Sequence, residues 1–170
     1  ATTPASLYDK NLVELTRHNR ELLLLNRASQ ILTATLDSAE VMENLLQLAV
    51  QIIHAAGSSL WLWTNEQQTT LVCRAAFHPG TDEKLLGLEV ASGQGVVGWV
   101  AATNRGTIVA DPAADVRFYP QIDSSSGFVT TSLLAVPVQL RNRTLGVLEV
   151  VNKRDGRFLG QDISYAKTLA

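Results

Sequence analysis

Six apolar residues of the segment 5–36 fall on a repeat with alternating intervals of three and four residues. They comprise Tyr8, Leu15, Leu22, Leu25, Leu32 and Leu36. The stretch contains no Gly or Pro, so this spacing predicts one long helix with the heptad seam of a coiled coil. Polar residues occupy the seam at Asn11, His18 and Ser29, where they can fix register at some loss of stability. The pattern favours pairing with a second copy of the chain. An amphipathic helix packed on its own domain is the alternative.

A second helix is predicted over roughly residues 38–56. Asp37 or Ser38 can cap its N-terminus, because a short polar side chain there accepts from exposed N–H groups. Glu40 and Glu43 suit the positive end of the helix dipole. The residues expected to form its buried face are Val41, Leu45, Leu48, Ile52 and Ile53.

After Gly57 the hydrophobic period shortens to two, which indicates strands. Residues 59–63 and 70–77 predict a hairpin, and shorter strands are expected at 87–90 and 107–110 on either side of a helix at 96–103. Two more strands follow at 132–140 and 144–151, and a last helix begins at 161. These elements predict an α+β fold with about six mainly antiparallel strands.

The segment 111–130 is predicted to be a long loop with only a short helical turn near residues 113–118. It spans roughly 20 residues rich in Asp, Ser and Pro, and loops of that length in compact domains are usually lids or disordered. This segment is therefore the first indication of a functional site.

The composition narrows the possible functions. With 46% hydrophobic residues, 14 basic and 16 acidic side chains and a net charge of −2, the chain is typical of a soluble globular domain that does not bind nucleic acid. No apolar stretch is long enough to insert into a membrane. Cys73 is the single cysteine, which fits a reducing, cytoplasmic compartment. The chain lacks an initiator Met and stops within a helical pattern, so we expect a fragment of a longer multidomain protein.

Motifs for catalysis are sparse. The three histidines, His18, His54 and His78, have no metal-ligand spacing, and no nucleophile elbow or phosphate-binding P-loop is present, so neither an enzyme nor a metal site is predicted. Residues 93–98 spell G-x-G-x-x-G, the dinucleotide-binding fingerprint. Because the following helix is short and the later strands form a hairpin, an NAD-binding enzyme is kept only as an alternative. The glycine turn still leaves the N–H groups of a helix free to meet an anion.

Several segments together resemble the GAF domain family, over about residues 27–170. They are, in the family's order and spacing, residues 93–100, 111–112, 126–130, 133–138 and 146–153. The chain is similar above all to the regulatory GAF domains of cyclic-nucleotide phosphodiesterases and of some bacterial adenylyl cyclases. The resemblance implies a GAF/profilin-like α+β fold, with helices on one face of the sheet and a lid-covered pocket on the other. Residues 1–36 would be a signalling helix and residues 37–170 the GAF domain.

The resemblance also implies a sensor domain. It would bind a cyclic nucleotide, cAMP or cGMP, as regulatory ligand, with no other cofactor. The ligand would act through the N- and C-terminal helices of a homodimer on an effector domain in the same full-length chain. A ligand-free dimerisation module is the alternative from a different functional class.

The resemblance implies which positions contact the ligand. Ser58 or Ser59 would bind a purine edge, and Phe77 or His78 would stack on it. The amides of Val96 and Val97 would bind the cyclic phosphate. Contacts to phosphate and ribose are expected from Tyr119, Ser126 and Thr130 on the lid. Glu149, within an apolar strand, would pair with a ligand hydroxyl or amine. In the alternative interpretation Phe77 only closes the core, Tyr119 lies on the surface and Glu149 faces water.

A short signature of the family closes the pocket from behind. Asn152, Lys153, Phe158 and Asp162 match it, whereas Ile163 stands where the family has Glu and the gap before Phe158 is short. The resemblance implies an ion pair between Lys153 and Asp162 that does not touch the ligand. If exposed, such a pair contributes about 0–1 kcal/mol. The alternative is that both are simply surface charges.

Overall fold

The computed structural model describes residues 4–36 and 39–170, with side chains given for residues 8–24 and from residue 39 onward. The chain divides into two compact units, Ala1–Ser38 and Ala39–Ala170. In the first unit the long helix expected from the heptad pattern is present as α1 (Pro4–Leu36). The seam positions Leu25, Ser29, Leu32 and Leu36 have no described side chains, and the predicted caps Asp37 and Ser38 lie outside the described residues.

The second unit is built on a sheet of six strands, each paired antiparallel to its neighbours in the order β3-β2-β1-β6-β5-β4. The strands are β1 (Ala55–Trp63), β2 (Thr70–Phe77), β3 (Glu89–Ala91), β4 (Thr107–Val109), β5 (Leu133–Leu140) and β6 (Arg143–Lys153). The helices are α2 (Ala39–Ile53), α3 (Asp82–Leu85), α4 (Gly95–Thr103), α5 (Pro120–Ser126) and α6 (Gly160–Leu169). The predicted α+β class and the antiparallel sheet are confirmed.

Helices α2 and α6 cover one side of the sheet, which we call the helix face. The predicted buried face of α2 is wrong, apart from Ile53. Val41, Leu48 and Ile52 are 44%, 44% and 40% exposed and Leu45 is half-buried, whereas the buried residues are Met42, Leu46, Ala49, Val50 and Ile53. The predicted row and the buried row both have helical spacing. Most buried residues directly follow a predicted one in the sequence, so the two rows lie about 100° apart around the helix axis. Periodicity alone therefore could not identify the row that faces the sheet.

Helices α3, α4 and α5 lie over the opposite side, which we call the cavity face. Residues 111–130, here named the flap, connect β4 to β5. The structure corrects the prediction for this segment, because it contains a 3-10 turn at Pro112–Ala114 and also the helix α5. Pro120 begins α5, and Gly127 ends it with a left-handed φ of 76°. A stretch of Asp and Ser with the single apolar residue Ile122 gives no amphipathic signal, so periodicity missed it.

The helices described in both units include none with the length and apolar character needed to cross a membrane.

Candidate functional site

The glycine-rich turn forms the N-terminal end of α4. Gly93 and Gly95 have φ values of 80° and 66°, and a Cβ on Gly98 would lie 2.4 Å from the Ala91 carbonyl oxygen. These glycines serve a tight turn and a close backbone approach. Gln94 does not cap α4 with its side chain, which instead accepts from the Ala91 N–H at 3.1 Å. Among the described residues, no side chain therefore accepts from the first amides of α4. The antiparallel sheet excludes the dinucleotide-binding fold whose motif this turn imitates.

A small cavity of about 30 Å³ lies between this helix end, the sheet and the flap. Among the predicted ligand positions, its wall contains Val96, Val97, Tyr119, Thr130 and Glu149. A water molecule needs about 10–15 Å³ of such space, whereas pockets for small organic ligands measure about 300–1,000 Å³. The cavity therefore has room for about two waters and is too small for a nucleotide unless the flap moves.

Glu149 provides the buried carboxyl group of this cavity. It lies opposite Ser59 in the register of β1 and β6, and the Ser59 hydroxyl donates to its Oε1 at 3.2 Å. The Trp61 indole donates in turn to Ser59 Oγ at 2.9 Å. Glu149 is 8% exposed, and burial raises its pKa to about 7, with a further contribution from the Asp123 charge. The alternative in which Glu149 faces water is therefore wrong, and its charge changes near neutral pH.

Asp123 holds the flap together and was not found by the sequence reasoning. Its carboxylate accepts from the Thr130 backbone N–H and from the Thr130 hydroxyl, both at 2.7 Å. It also lines the cavity. An Asp and a Thr seven residues apart in an irregular segment give no periodic signal, so only the fold brings them together.

An arginine anchors the first half of the flap to α4 and β4. Arg117 donates to both carboxylate oxygens of Asp115 at 3.0 and 2.8 Å and to Thr107 Oγ1 at 3.2 Å. Its guanidinium lies 4.5 Å from the centre of the Trp99 ring, where it gains a cation–π attraction. The hydrogen bonds from Arg117 lower the pKa of Asp115. The sequence analysis did not identify this cluster.

The other predicted ligand residues do not line the cavity, including Ser59, which reaches it only through its hydrogen bond to Glu149. Ser58 is on the helix face, where its hydroxyl donates to the Leu46 carbonyl at 2.9 Å, and Phe77 packs on the core of that same face. Ser126 is buried within the flap and accepts from the Phe128 N–H at 3.2 Å. His78 contacts the Phe128 ring edge-on, with ring centres 4.6 Å apart. These positions correct the expectation that Ser58, Phe77, Ser126 and His78 line the pocket.

Asn152 closes the C-terminal end of the flap. Its Oδ1 accepts from the N–H groups of Thr131 at 2.7 Å and Ser132 at 3.3 Å. Its Nδ2 donates to the Val129 carbonyl at 2.8 Å. The side chain therefore joins the end of β6 to the last residues of the flap.

The remaining signature residues lie on the helix face. Lys153 donates to the Ile53 carbonyl and to Asp162 Oδ1, the latter at 3.1 Å, and Asp162 also accepts from the Leu159 N–H at 2.8 Å. The Lys153 and Asp162 side chains are only 12% and 9% exposed, and Phe158 is buried beside them. The ion pair thus clasps α2, β6 and α6 from behind the cavity, and the surface-charge alternative is wrong.

Metal and thiol chemistry find no support in the part of the chain that the structure describes. That part contains no group of three or more His, Cys, Asp or Glu side chains able to hold a metal ion. Burial raises the pKa of the Cys73 thiol to about 12. The reactive thiolate is therefore scarce at neutral pH.

The chain is similar over part of its length to two curated phosphodiesterases. It is 38% identical over 69 residues to the probable 3',5'-cyclic phosphodiesterase pde-5 of Caenorhabditis elegans, covering 41% of this chain and 10% of the relative. It is 39% identical over 69 residues to the cone cGMP-specific 3',5'-cyclic phosphodiesterase subunit alpha' of Bos taurus, covering 40% and 8%. The chain thus spans no more than a tenth of the length of these two relatives.

Solved structures and a family model agree on the fold. The GAF domain of an Acinetobacter phosphoenolpyruvate-protein phosphotransferase has a TM-score of 0.65 at 21% identity, covering 88% of this chain and 87% of that one. A free methionine-R-sulfoxide reductase from Neisseria meningitidis has a TM-score of 0.62 at 18% identity, covering 77% and 72%. At such identities the likeness shows the fold alone. A family model described as GAF domain matches residues 35–170, and the chain therefore belongs to the GAF domain family.

Proposed function

We propose that this GAF domain is a regulatory sensor whose ligand is a cyclic nucleotide, cAMP or cGMP. The similarity to the phosphodiesterases supports a regulatory role. One structural observation carries the proposal: the uncapped N-terminus of α4 and the buried carboxyl group of Glu149 share one flap-covered cavity. A ligand with an anionic end and a hydrogen-bond donor at the other end matches this pair.

The two ends of the cavity have complementary chemistry. The amides of Val96 and Val97 carry the positive end of the α4 dipole, which favours a phosphate. Glu149 receives one side-chain hydrogen bond among the described residues, from Ser59, so its carboxyl group retains capacity to accept from a ligand amine or hydroxyl. Satisfying this buried carboxyl group would offset its desolvation.

A nucleotide can enter only if the flap is displaced, because the closed cavity measures about 30 Å³. The contacts that hold the flap are identifiable polar ones, chiefly Asp123 with Thr130 and Asn152 with Val129. A ligand that stabilises one flap position over the other would shift the equilibrium between the two. In a cytoplasmic full-length chain, a homodimer formed through α1 would carry that change to an effector domain. Such coupling requires different ligand affinities in two states.

Calorimetry and thermal shift with cAMP and cGMP test the proposal. Saturable binding is expected, and Glu149→Gln should weaken it about tenfold or more, since a buried charge-assisted hydrogen bond is replaced. Glu43→Gln makes the same chemical change at an exposed position of α2 and should leave the affinity unchanged. Absence of both heat and thermal shift at millimolar nucleotide would contradict the proposal.

A ligand-free dimerisation module is the second candidate, and exposed apolar side chains favour it. On α1, Tyr8, Leu15 and Leu22 are 79%, 60% and 52% exposed at intervals of seven residues. In a homodimer these side chains would be covered. This candidate predicts a dimer by light scattering that Leu15→Lys with Leu22→Lys converts to a monomer, while nucleotides change nothing.

A further inference from the structure

The flap rests on a histidine whose ring has no hydrogen-bond partner in the described part of the chain. His78, just after β2, is 3% exposed, and neither ring nitrogen has a hydrogen-bond partner among the described residues. Phe128 of the flap covers the ring in an edge-to-face contact at an interplanar angle of 73°. Behind the ring, a Cβ on Gly57 would lie 3.0 Å from His78 Cγ. The imidazole is therefore enclosed between β1 and the flap.

Closing the flap over this ring costs free energy. A neutral imidazole has one donor and one acceptor, and both lose water when buried without replacement partners. Burial accordingly lowers the pKa of His78 to about 4, against an opposing effect from the Asp82 charge at the start of α3. Phe128 and Gly57, which contact the ring from the flap and from β1, carry no charge. An open flap would return both nitrogens to water.

We propose that His78 is the release element of the flap: its unpartnered imidazole offsets the contacts that hold the flap closed, so the closed form remains poised to open. This rests on the proposed function in one respect, since opening is what would admit the ligand. A cavity of about 30 Å³ can admit a nucleotide only after the flap has opened. Without the release element, the flap would open less often, because the paired hydrogen bonds of Asp123 to Thr130 favour the closed form.

His78→Phe tests the proposal because it keeps an aromatic ring against Phe128 and removes both nitrogens. In the full chain without ligand, hydrogen exchange of the amides of residues 118–130 should slow at least about fivefold, the effect of no longer burying one unsatisfied polar group. His54→Asn is the matched control. It replaces an exposed histidine at a left-handed φ of 56°, a conformation that Asn tolerates, and flap exchange should not change. Unchanged or faster flap exchange in a folded His78→Phe protein would overturn the proposal.

A second measurement leaves His78 in place. Titration of Glu149 changes flap stability with pH in the opposite direction to that of His78. Glu149→Gln removes this effect, so the remaining pH dependence reports on the histidine. Between pH 7.5 and 5, flap exchange corrected for the intrinsic rate should accelerate in this variant, because an open flap lets His78 take up a proton. The additional substitution His78→Phe should abolish the acceleration. A flap that stays equally protected at both pH values in Glu149→Gln would refute the release role.

These exchange experiments contain no nucleotide, so their outcome is separate from that of the proposed function. A flap that His78→Phe tightens in a protein that binds no nucleotide would support the release element and contradict the ligand. Nucleotide binding together with unchanged flap exchange in His78→Phe would support the ligand and contradict the release element.

Discussion

The two faces of the sheet have different interiors. On the helix face, most fully buried side chains are apolar, as with Leu46, Leu134 and Leu148. The buried polar groups there have partners: the Ser58 hydroxyl donates to a backbone carbonyl, and Lys153 pairs with Asp162. On the cavity face, Glu149 is buried with one side-chain partner and the His78 ring with none, counted over the residues that the structure describes. The neighbours Leu148 and Glu149 face opposite sides because side chains alternate along a strand. The helix face is therefore a well-paired core. On the cavity face, the exposure of these polar groups to water depends on the position of the flap.

The largest predicted effect is on the helix face, at Lys153. Lys153→Met leaves the Asp162 carboxylate buried without its cation, so the free energy of unfolding should fall by about 3–5 kcal/mol. Urea unfolding followed by circular dichroism measures the loss. The double variant Lys153→Met with Asp162→Leu should regain much of it, because no uncompensated charge remains. A loss below about 1 kcal/mol in the single variant would mean that the pair behaves as a surface ion pair.

On the cavity face, two groups should give opposite pH dependences of stability. Burial raises the pKa of Glu149 from 4.5 to about 7, so its contribution is fully present below pH 4.5 and is lost as the pH rises through 7. Burial lowers the pKa of His78 from 6.5 to about 4, so its contribution is present above pH 6.5 and is lost as the pH falls through 4. Each pKa shift corresponds to a change of about 3 kcal/mol in the free energy of unfolding.

In the wild-type protein these two groups together should therefore cause little pH dependence of stability between pH 4.5 and 6.5, where their slopes cancel. Glu149→Gln should become less stable on acidification, relative to wild type, and His78→Phe should become more stable. Urea unfolding of the three proteins at pH 5 and 6.5 measures both slopes. Parallel pH profiles of stability in all three proteins would show that Glu149 and His78 do not have opposite effects on the pH dependence.

A smaller effect is predicted within the flap. Asp123→Ala removes two hydrogen bonds to Thr130. The free energy of flap opening should therefore fall by about 1–3 kcal/mol. Thr130→Val removes only the hydroxyl donor and should have the smaller effect. Hydrogen exchange of the flap amides is the appropriate measurement, because local opening need not change global stability. Equal protection in Asp123→Ala and wild type would show that other contacts hold the flap.

The sequence predicted what depends on local signals. Alternating apolar residues predicted the strands. The glycine turn predicted free amides at the start of a helix, and the family resemblance assigned them to Val96 and Val97. The sequence could not show which of Ser58 and Ser59 faces the cavity. Adjacent strand residues face opposite sides of the sheet, and both serines have apolar neighbours, so the pattern does not identify the side. Asp123 was missed because its partner Thr130 is brought near by a turn of irregular sequence. The hydrogen bonds of the flap are thus a product of the fold rather than of any periodic pattern.

The smallest predicted effect is at Leu48, where the sequence pattern indicated burial and the structure shows exposure. Leu48→Ala should change the free energy of unfolding by no more than about 0.5 kcal/mol, because the side chain is 44% exposed and Ala favours a helix. Leu46→Ala, two residues away on the same helix, empties a fully buried position and should cost about 2–5 kcal/mol. Urea unfolding at low protein concentration gives this difference. A loss at Leu48 that grows with protein concentration would show that a second copy covers the exposed row of α2, since stability depends on concentration only where folding is linked to association.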